Sequence, residues 1–170
     1  MVTLFKIMNP KSIIPSIGIT MHKLNMPELL SNILRGEENL SMKTRRFYRN
    51  VREKQQKELQ DLFQEQYSHI DCIIDRVLQK VATLSGNKGL HYIRSDSFEE
   101  DWTEYSSSRE MIQELMADHR LLIVKLRKYV ISIFKNKNDA EIINFLIGLI
   151  EEHETTAWVL ETYAEFSNEK

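Results

Sequence analysis

The histidines and carboxylates of this 170-residue sequence lack the spacing of a standard di-iron site. Such a site in a helix bundle usually takes two Glu-x-x-His pairs and two further carboxylates, because iron binds several oxygens with imidazole support. Here the residues three positions before the candidate histidines are not glutamates: Gln66 precedes His69, Met116 precedes His119 and Ile150 precedes His153. Glu65 and His69 share a helix face, but one such pair is typical of a solvated surface contact.

The sequence also lacks motifs for nucleophilic catalysis, for phosphate binding and for thiolate-based metal sites. Cys72 is the only cysteine, so one chain can form neither a disulfide nor a Cys-based metal site. The segment 85–89, Ser-Gly-Asn-Lys-Gly, does not match the phosphate-binding Walker pattern and is typical of a helix end followed by a turn. The lone cysteine, and prolines and lysines that interrupt the apolar N-terminus, favour a cytoplasmic protein without an export signal.

Positive charge is concentrated in one segment although the net charge of the chain is -2. Seven cations and one acid lie between Lys43 and Lys57, which could bind phosphate or could be a solvated or interface helix end. The first 27 residues add three lysines and no acid. The candidate DNA-contacting residues are therefore Lys6, Lys11, Lys23, Arg45, Arg46, Arg49 and Arg52, and a nucleoid location is the corresponding expectation.

The elements that must position these residues are helices. All three prolines lie within the first 27 residues, so nothing interrupts long helices afterwards. Apolar residues recur at helical steps in four segments: one starting near Pro27, one from about Gln55 to Ser85, one after a cap at Ser106 to Ser108, and one after a cap at Asp139. Trp158 falls at helical spacing in the last segment and is expected in the core.

No window alternates with period two, so the sequence predicts an all-α bundle without a sheet. Short links join the first and second helices and the third and fourth, whereas residues 85–107 form a long connection. One long crossover is a feature of ferritin-like bundles, although a generic four-helix bundle is an open alternative at this point. The longest apolar run, Ile142 to Ile150, is too short to span a membrane.

Several blocks of the sequence resemble the Dps family, the ferritin-like DNA-protection proteins of starved cells. Residues 43–51, Lys-Thr-Arg-Arg-Phe-Tyr-Arg-Asn-Val, resemble the end of the family's first helix, and residues 63–67 followed by Asp75 resemble its second-helix signature. Residues 114–119 and 148–158 resemble its third and fourth helices. The resemblance implies an all-α ferritin-like four-helix bundle with a short helix in the long crossover between helices two and three.

The resemblance also implies how the chain divides into a domain and tails, and how the subunits assemble. It implies a flexible N-terminal tail at 1–16, a ferritin-like Dps domain at 17–165 and a C-terminal tail at 166–170. Family members typically form a hollow shell of twelve subunits, oxidise ferrous iron between two-fold-related subunits, store the ferric mineral inside and in some cases coat DNA.

The iron ligands that the resemblance implies are mostly replaced in this sequence. Ungapped alignment puts the family's first-helix histidine at Tyr48, its second-helix histidine at Gln60, its aspartate at Asp75 and its glutamate at Gln79. Only Asp75 retains a ligand type, and Arg49 stands where the family usually has tryptophan. The loss of imidazoles and negative charge predicts impaired or absent ferroxidase activity.

Two hypotheses follow from the sequence. In the first, the chain forms a Dps-like homo-oligomeric shell, expected to be a dodecamer, for iron storage and for DNA or oxidative-stress protection. In the second, it forms a catalytically silent shell that acts as a scaffold, a nucleoid-binding protein or a partner of an active paralogue. Iron binding is expected under the first hypothesis and absent under the second.

Overall fold

The computed structural model describes residues 25–53, 56–85, 107–136 and 139–166. Four α-helices account for these ranges, in the order α1 (Met26–Glu53), α2 (Lys57–Ser85), α3 (Ser108–Asn136) and α4 (Ala140–Phe166). The described part of the chain contains no strand, so the predicted all-α class is confirmed. The predicted crossover helix and the N-terminal tail at 1–16 lie outside the described residues. Of the C-terminal tail predicted at 166–170, Phe166 is the last residue of α4, and 167–170 lie outside the described residues.

The helices begin where side chains can cap them. The Ser107 hydroxyl accepts a hydrogen bond from the backbone N–H of Glu110 at 3.2 Å, and the Glu110 carboxylate accepts one from the backbone N–H of Ser107 at 3.3 Å. This reciprocal pair is a capping box at the start of α3. Asp139 caps α4 by accepting from the backbone N–H of Ile142 at 3.2 Å. The predicted caps of α3 and α4 are therefore confirmed.

The four helices form two antiparallel pairs. Phe47 and Phe63 lie 6.0 Å apart between ring centres, while Ser41, earlier in α1, bonds to Asp71, later in α2. Arg120 pairs with Glu161 and Arg127 with Glu154, which gives the same antiparallel order in α3 and α4. The two pairs meet through α1 and α3, where Gly36 lets the side chain of Leu122 approach the α1 backbone closely.

The core consists of two apolar clusters stacked along the bundle. One contains Leu30, Leu34 and Ile73 with the first half of α4, and the other contains Phe47, Phe63 and Leu115. Glu37 lies on α1 between Leu34 of the first cluster and Leu40 of the second. The junction between the clusters is therefore where polar side chains enter the core.

Candidate functional site

A row of three buried polar side chains links α1, α4 and α3 in the core. His153 Nε2 lies 2.9 Å from Glu37 Oε1, and His153 Nδ1 lies 2.9 Å from His119 Nδ1. Glu37 is 0% exposed and the two histidines are 1% exposed, so solvent reaches none of them. These three side chains form the Glu37–His153–His119 network.

The network has buried atoms whose hydrogen-bonding capacity is unused. Glu37 Oε2 and His119 Nε2 are buried without a hydrogen-bond partner among the described residues. Buried polar atoms are normally paired, and an unpaired one costs about 1–3 kcal/mol. The two unpaired atoms therefore lower the stability of the fold, and the network places polar groups in an otherwise apolar layer of the core.

Burial fixes the charge of one member of the network. Desolvation, followed by the charges of His153 and His69, lowers the pKa of His119 to about 3, so that this imidazole is neutral at physiological pH. The buried carboxyl group of Glu37 needs a hydrogen-bond partner, and the His153 ring supplies one at 2.9 Å. Across the contact between the two Nδ1 atoms of His153 and His119, one ring donates a hydrogen bond and the other accepts it.

The network is not arranged as a metal centre. The His153 ring lies between Glu37 and His119 and uses one nitrogen for each, so no single ion can contact all three groups. Within the described ranges, no group of three or more His, Cys, Asp or Glu side chains is placed to hold a metal ion. The network is therefore a row of hydrogen-bonded side chains, and its members do not surround a common cation position.

The four positions that the sequence resemblance aligns with iron ligands lie on α1 and α2. Tyr48 is half-buried and packs edge-to-face on Tyr67 at 5.6 Å between ring centres. Asp75 and Gln79 are exposed one turn apart on α2, and Gln60 is half-buried near the start of that helix. Eight residues of helix, about 12 Å, separate Tyr67 from Asp75, so within one chain Tyr48 and Asp75 do not converge.

An arginine engages the acidic face of α2 beside Asp75. The guanidinium of Arg45 forms an ion pair with Asp71 and lies 4.5 Å from the centre of the Tyr67 ring. The other oxygen of Asp71 accepts a hydrogen bond from Ser41 at 2.7 Å. Asp71 lies one helical turn before Asp75, so Arg45 offsets negative charge close to the retained aspartate. Arg49, which the sequence places nearby, is exposed.

Three of the seven cations between Lys43 and Lys57 form ion pairs within the subunit. Lys43 bridges Glu114 and Asp118 at 2.6 Å each; burial alone would lower its pKa, but hydrogen bonds to Asp118 and Glu114 raise the pKa above its ordinary value. Arg45 is paired with Asp71, and Lys57 lies 3.7 Å from Asp61. Arg46 is half-buried. The lysines at 6, 11 and 23 and the Arg52 side chain lie outside the described residues.

A second group of charges joins α2 to α4 beside the network. Arg76 forms two hydrogen bonds with the Glu152 carboxylate, one of them 2.8 Å long, and His69 lies 3.1 Å from the same carboxylate. The bonds to Glu152 raise the pKa of Arg76, to which Glu37 also contributes by its charge. Arg76 and His69 therefore act electrostatically on the two ends of the network.

The α3 and α4 pair presents an apolar groove to solvent. Trp158 is 64% exposed and lines a groove of about 350 Å³ with Ile123, Val124 and Ala157, bounded by the Arg120–Glu161 and Arg127–Glu154 ion pairs. The expectation that Trp158 lies in the core was wrong. Ala157 and Leu160 take the inward positions of α4, and Trp158 is turned about 100° from Ala157.

The sequence carried one usable signal for the network that spacing motifs missed. Glu37, His119 and His153 each occupy a position of an apolar stripe, between Leu34 and Leu40, between Leu115 and Leu122, and between Ile150 and Ala157. A titratable residue inside such a stripe on three helices points to a polar contact in the core.

No helix within the described ranges has the length and apolar character that crossing a membrane requires.

Comparison with known proteins identifies related sequences and folds. A sequence profile described as the ferritin-like domain matches residues 27–166. An uncharacterized low temperature-induced protein of Nostoc is 29% identical over 154 residues, which cover 88% of this chain and 86% of that protein. DNA protection during starvation protein 2 of Bacillus anthracis is 29% identical over 109 residues, 61% of this chain and 69% of that protein.

A solved structure shares the fold. A mutant of Mycobacterium smegmatis Dps1 superimposes with a TM-score of 0.66 at 18% sequence identity, over 81% of this chain and 93% of that chain. The bundle described above is therefore the ferritin-like bundle found in that protein.

Proposed function

Because the chain belongs to the ferritin-like family and its relatives include Dps proteins, we propose that it forms a Dps-like homo-oligomeric shell that stores iron without a standard ferroxidase site. Family membership supports iron storage or DNA protection in general terms. The observation that carries the finer proposal is the chemistry of the α2 face, where Asp75 is the one family ligand retained and Arg45 holds the neighbouring carboxylate of Asp71.

The donor set at the family positions fits iron poorly. Ferrous iron binds carboxylate and imidazole ligands, and the four positions offer one carboxylate, a phenol and two neutral amides. The guanidinium of Arg45 adds a positive charge that repels a divalent cation. Rapid oxidation of ferrous iron at this face is therefore not expected.

Assembly is supported by the apolar surface of the subunit. The described helices expose large apolar side chains on α3 and α4: Leu121, Val124, Ile131, Phe134, Ile147 and Trp158. Exposed apolar area of this extent marks a surface that a protein partner covers. Closed symmetric assembly of identical subunits would cover it and would create the enclosed space that storage needs.

The alternative is a catalytically silent shell that serves as a scaffold, a nucleoid binder or a partner of an active paralogue. The ion pairs of Lys43, Arg45 and Lys57 leave fewer cations for phosphate contact than the sequence suggests, which disfavours the nucleoid role for this segment. Slow uptake of iron distinguishes the storage shell from the catalytically silent shell. After aerobic incubation with ferrous salt, a storage shell retains ferric iron through size-exclusion chromatography, and a silent shell elutes without it.

The ferroxidase proposal is tested by stopped-flow oxidation of ferrous iron by peroxide. The wild-type oligomer is expected to show no rapid phase above the buffer reaction, because imidazoles and one carboxylate are missing. The combined variant Tyr48→His, Gln60→His and Gln79→Glu is expected to gain a phase about tenfold faster or more, and adding Asp75→Ala should remove it. A rapid, stoichiometric phase in the wild-type protein would overturn the proposal.

A further inference from the structure

The face that α3 and α4 present to solvent carries opposite charges on its two helices. The second half of α3, residues 120–136, contains five cations and no acid, and α4 contains six glutamates and no lysine or arginine. We propose that the exposed stripe of α3 in one copy of the chain packs antiparallel against the exposed stripe of α4 in a second copy. This inference rests on the proposed assembly into a shell and names the two surfaces that meet in it.

Each of the two helices points one stripe of mixed apolar and charged side chains away from the bundle. Residues that follow one another at steps of three or four share a helix face, and all members of both stripes are exposed. The α3 stripe consists of Leu121, Val124, Lys128, Ile131 and Lys135. The α4 stripe consists of Ile147, Glu151, Glu154, Trp158, Glu161 and Glu165. The stripes border the same groove, since Val124 and Trp158 both line it.

Part of the charge on this face has no partner of opposite charge within the subunit. Arg120 and Arg127 are bound by Glu161 and Glu154. Among the described residues, no ion pair engages the other charged groups of this face: Lys125, Lys128 and Lys135 on α3, and Glu151 and Glu165 on α4. One subunit therefore presents a positive and a negative surface, and complementary charge selects which surfaces of two copies meet.

The order of side chains along the two stripes matches in antiparallel register. Each stripe contains an apolar residue, a charged residue seven positions further along, and a second apolar residue three or four positions beyond that, when α3 is followed forwards and α4 backwards. Laid antiparallel, the stripes give three pairs: Leu121 with Trp158, Lys128 with Glu151, and Ile131 with Ile147. The two sets of spacings differ by one residue, about 1.5 Å of helix, which side chains accommodate.

A second copy of the chain suits this face better than a polyanion does. Phosphate groups of a nucleic acid or of a lipid surface would be attracted by the α3 lysines but repelled by the glutamates of α4 on the same face. A second copy satisfies both stripes and covers the exposed apolar side chains between the charges. In a closed assembly each copy gives its α3 stripe to one contact and its α4 stripe to another, so neither stripe is left without a partner.

A charge swap between Lys128 and Glu151 tests the pairing in the full-length oligomer. Lys128→Glu alone and Glu151→Lys alone each place like charges opposite one another. Each is expected to raise the protein concentration at which half of the oligomer dissociates by about 100-fold, measured by light scattering on dilution. The variant with both changes restores opposite charges and is expected to return to within about threefold of the wild type.

A matched control separates the pairing from an effect of net charge. Lys128→Glu combined with Glu58→Lys has the same net charge as the swap, but Glu58 lies exposed on α2, so this variant is expected to remain dissociated. If the wild type assembles and both single changes leave its dissociation unchanged, the pairing is overturned and the shell proposal stands. A monomeric wild type overturns both. Retention of DNA that Lys128→Glu abolishes, with assembly unchanged, assigns the α3 stripe to phosphate and also overturns the pairing.

Carbodiimide cross-linking of the wild type gives a second readout that needs no variant. The reagent joins a lysine amine to a carboxylate that it contacts. In oligomers assembled from unlabelled and isotope-labelled chains, mass spectrometry distinguishes links between copies from links within one chain. Mixed-label peptides that join Lys125 or Lys128 to Glu151 are expected. Links from these lysines that run only to acids outside α4, or only within one chain, overturn the pairing.

Discussion

Replacing His153 with alanine is expected to lower the free energy of unfolding by about 3–5 kcal/mol. His153 is the central member of the Glu37–His153–His119 network and contacts both of its neighbours at 2.9 Å. Its removal leaves the Glu37 carboxylate buried without its partner and opens a cavity beside His119. The change is measured by urea unfolding at pH 7 followed by circular dichroism, at matched oligomer concentration.

Two further variants separate the buried network from a general effect of losing a histidine. His69→Ala removes a half-exposed contact to Glu152 and is expected to cost less than about 1 kcal/mol. Replacing Glu37 and His153 together with methionine and leucine removes both polar partners and is expected to recover most of the lost stability. A loss below about 1 kcal/mol for His153→Ala would contradict the buried pairing described for α1 and α4.

Replacing Trp158 with glutamate is expected to break the assembly while leaving the subunit folded. Trp158 is 64% exposed in the groove between α3 and α4, so the change removes apolar contact area and places a charge where a second copy would pack. An aromatic anchor of this kind typically contributes about 2 kcal/mol or more, which corresponds to a roughly 30-fold weaker contact at each copy of the interface.

Light scattering coupled to size-exclusion chromatography measures this effect directly. The wild type is expected to elute as a large closed oligomer and Trp158→Glu as a much smaller species with an unchanged helical spectrum. Trp158→Phe keeps an aromatic ring and is expected to remain assembled. A wild-type monomer, or a Trp158→Glu variant of unchanged size, would show that this groove is not an interface between copies.

The helices and their boundaries follow closely from local sequence. The spacing of apolar residues and the capping residues are local properties of the sequence. The apolar stripe from Leu59 to Val81 therefore predicts α2, and the caps at Ser107 and Asp139 predict the starts of α3 and α4, each within a few residues. Pro27 lies at the second residue of α1, where its missing N–H costs nothing.

The network could not be predicted from spacing because its members are brought together by the fold alone. Glu37 and His153 are separated by 116 residues, and His119 and His153 by 34. Motif searches look for ligands on one helix, whereas these side chains meet only after α1, α3 and α4 pack. The ion pairs of Lys43 and Arg45 cannot be predicted from the sequence for the same reason, since their carboxylates lie on other helices.

Asp75 and its surroundings are expected not to form a working site for ferrous iron. Anaerobic titration of the native oligomer with ferrous salt, followed by calorimetry, tests it most directly. The wild type is expected to show no saturable, stoichiometric uptake per subunit, and Asp75→Ala should give the same curve. Saturable uptake that Asp75→Ala abolishes would show instead that Asp75 binds ferrous iron.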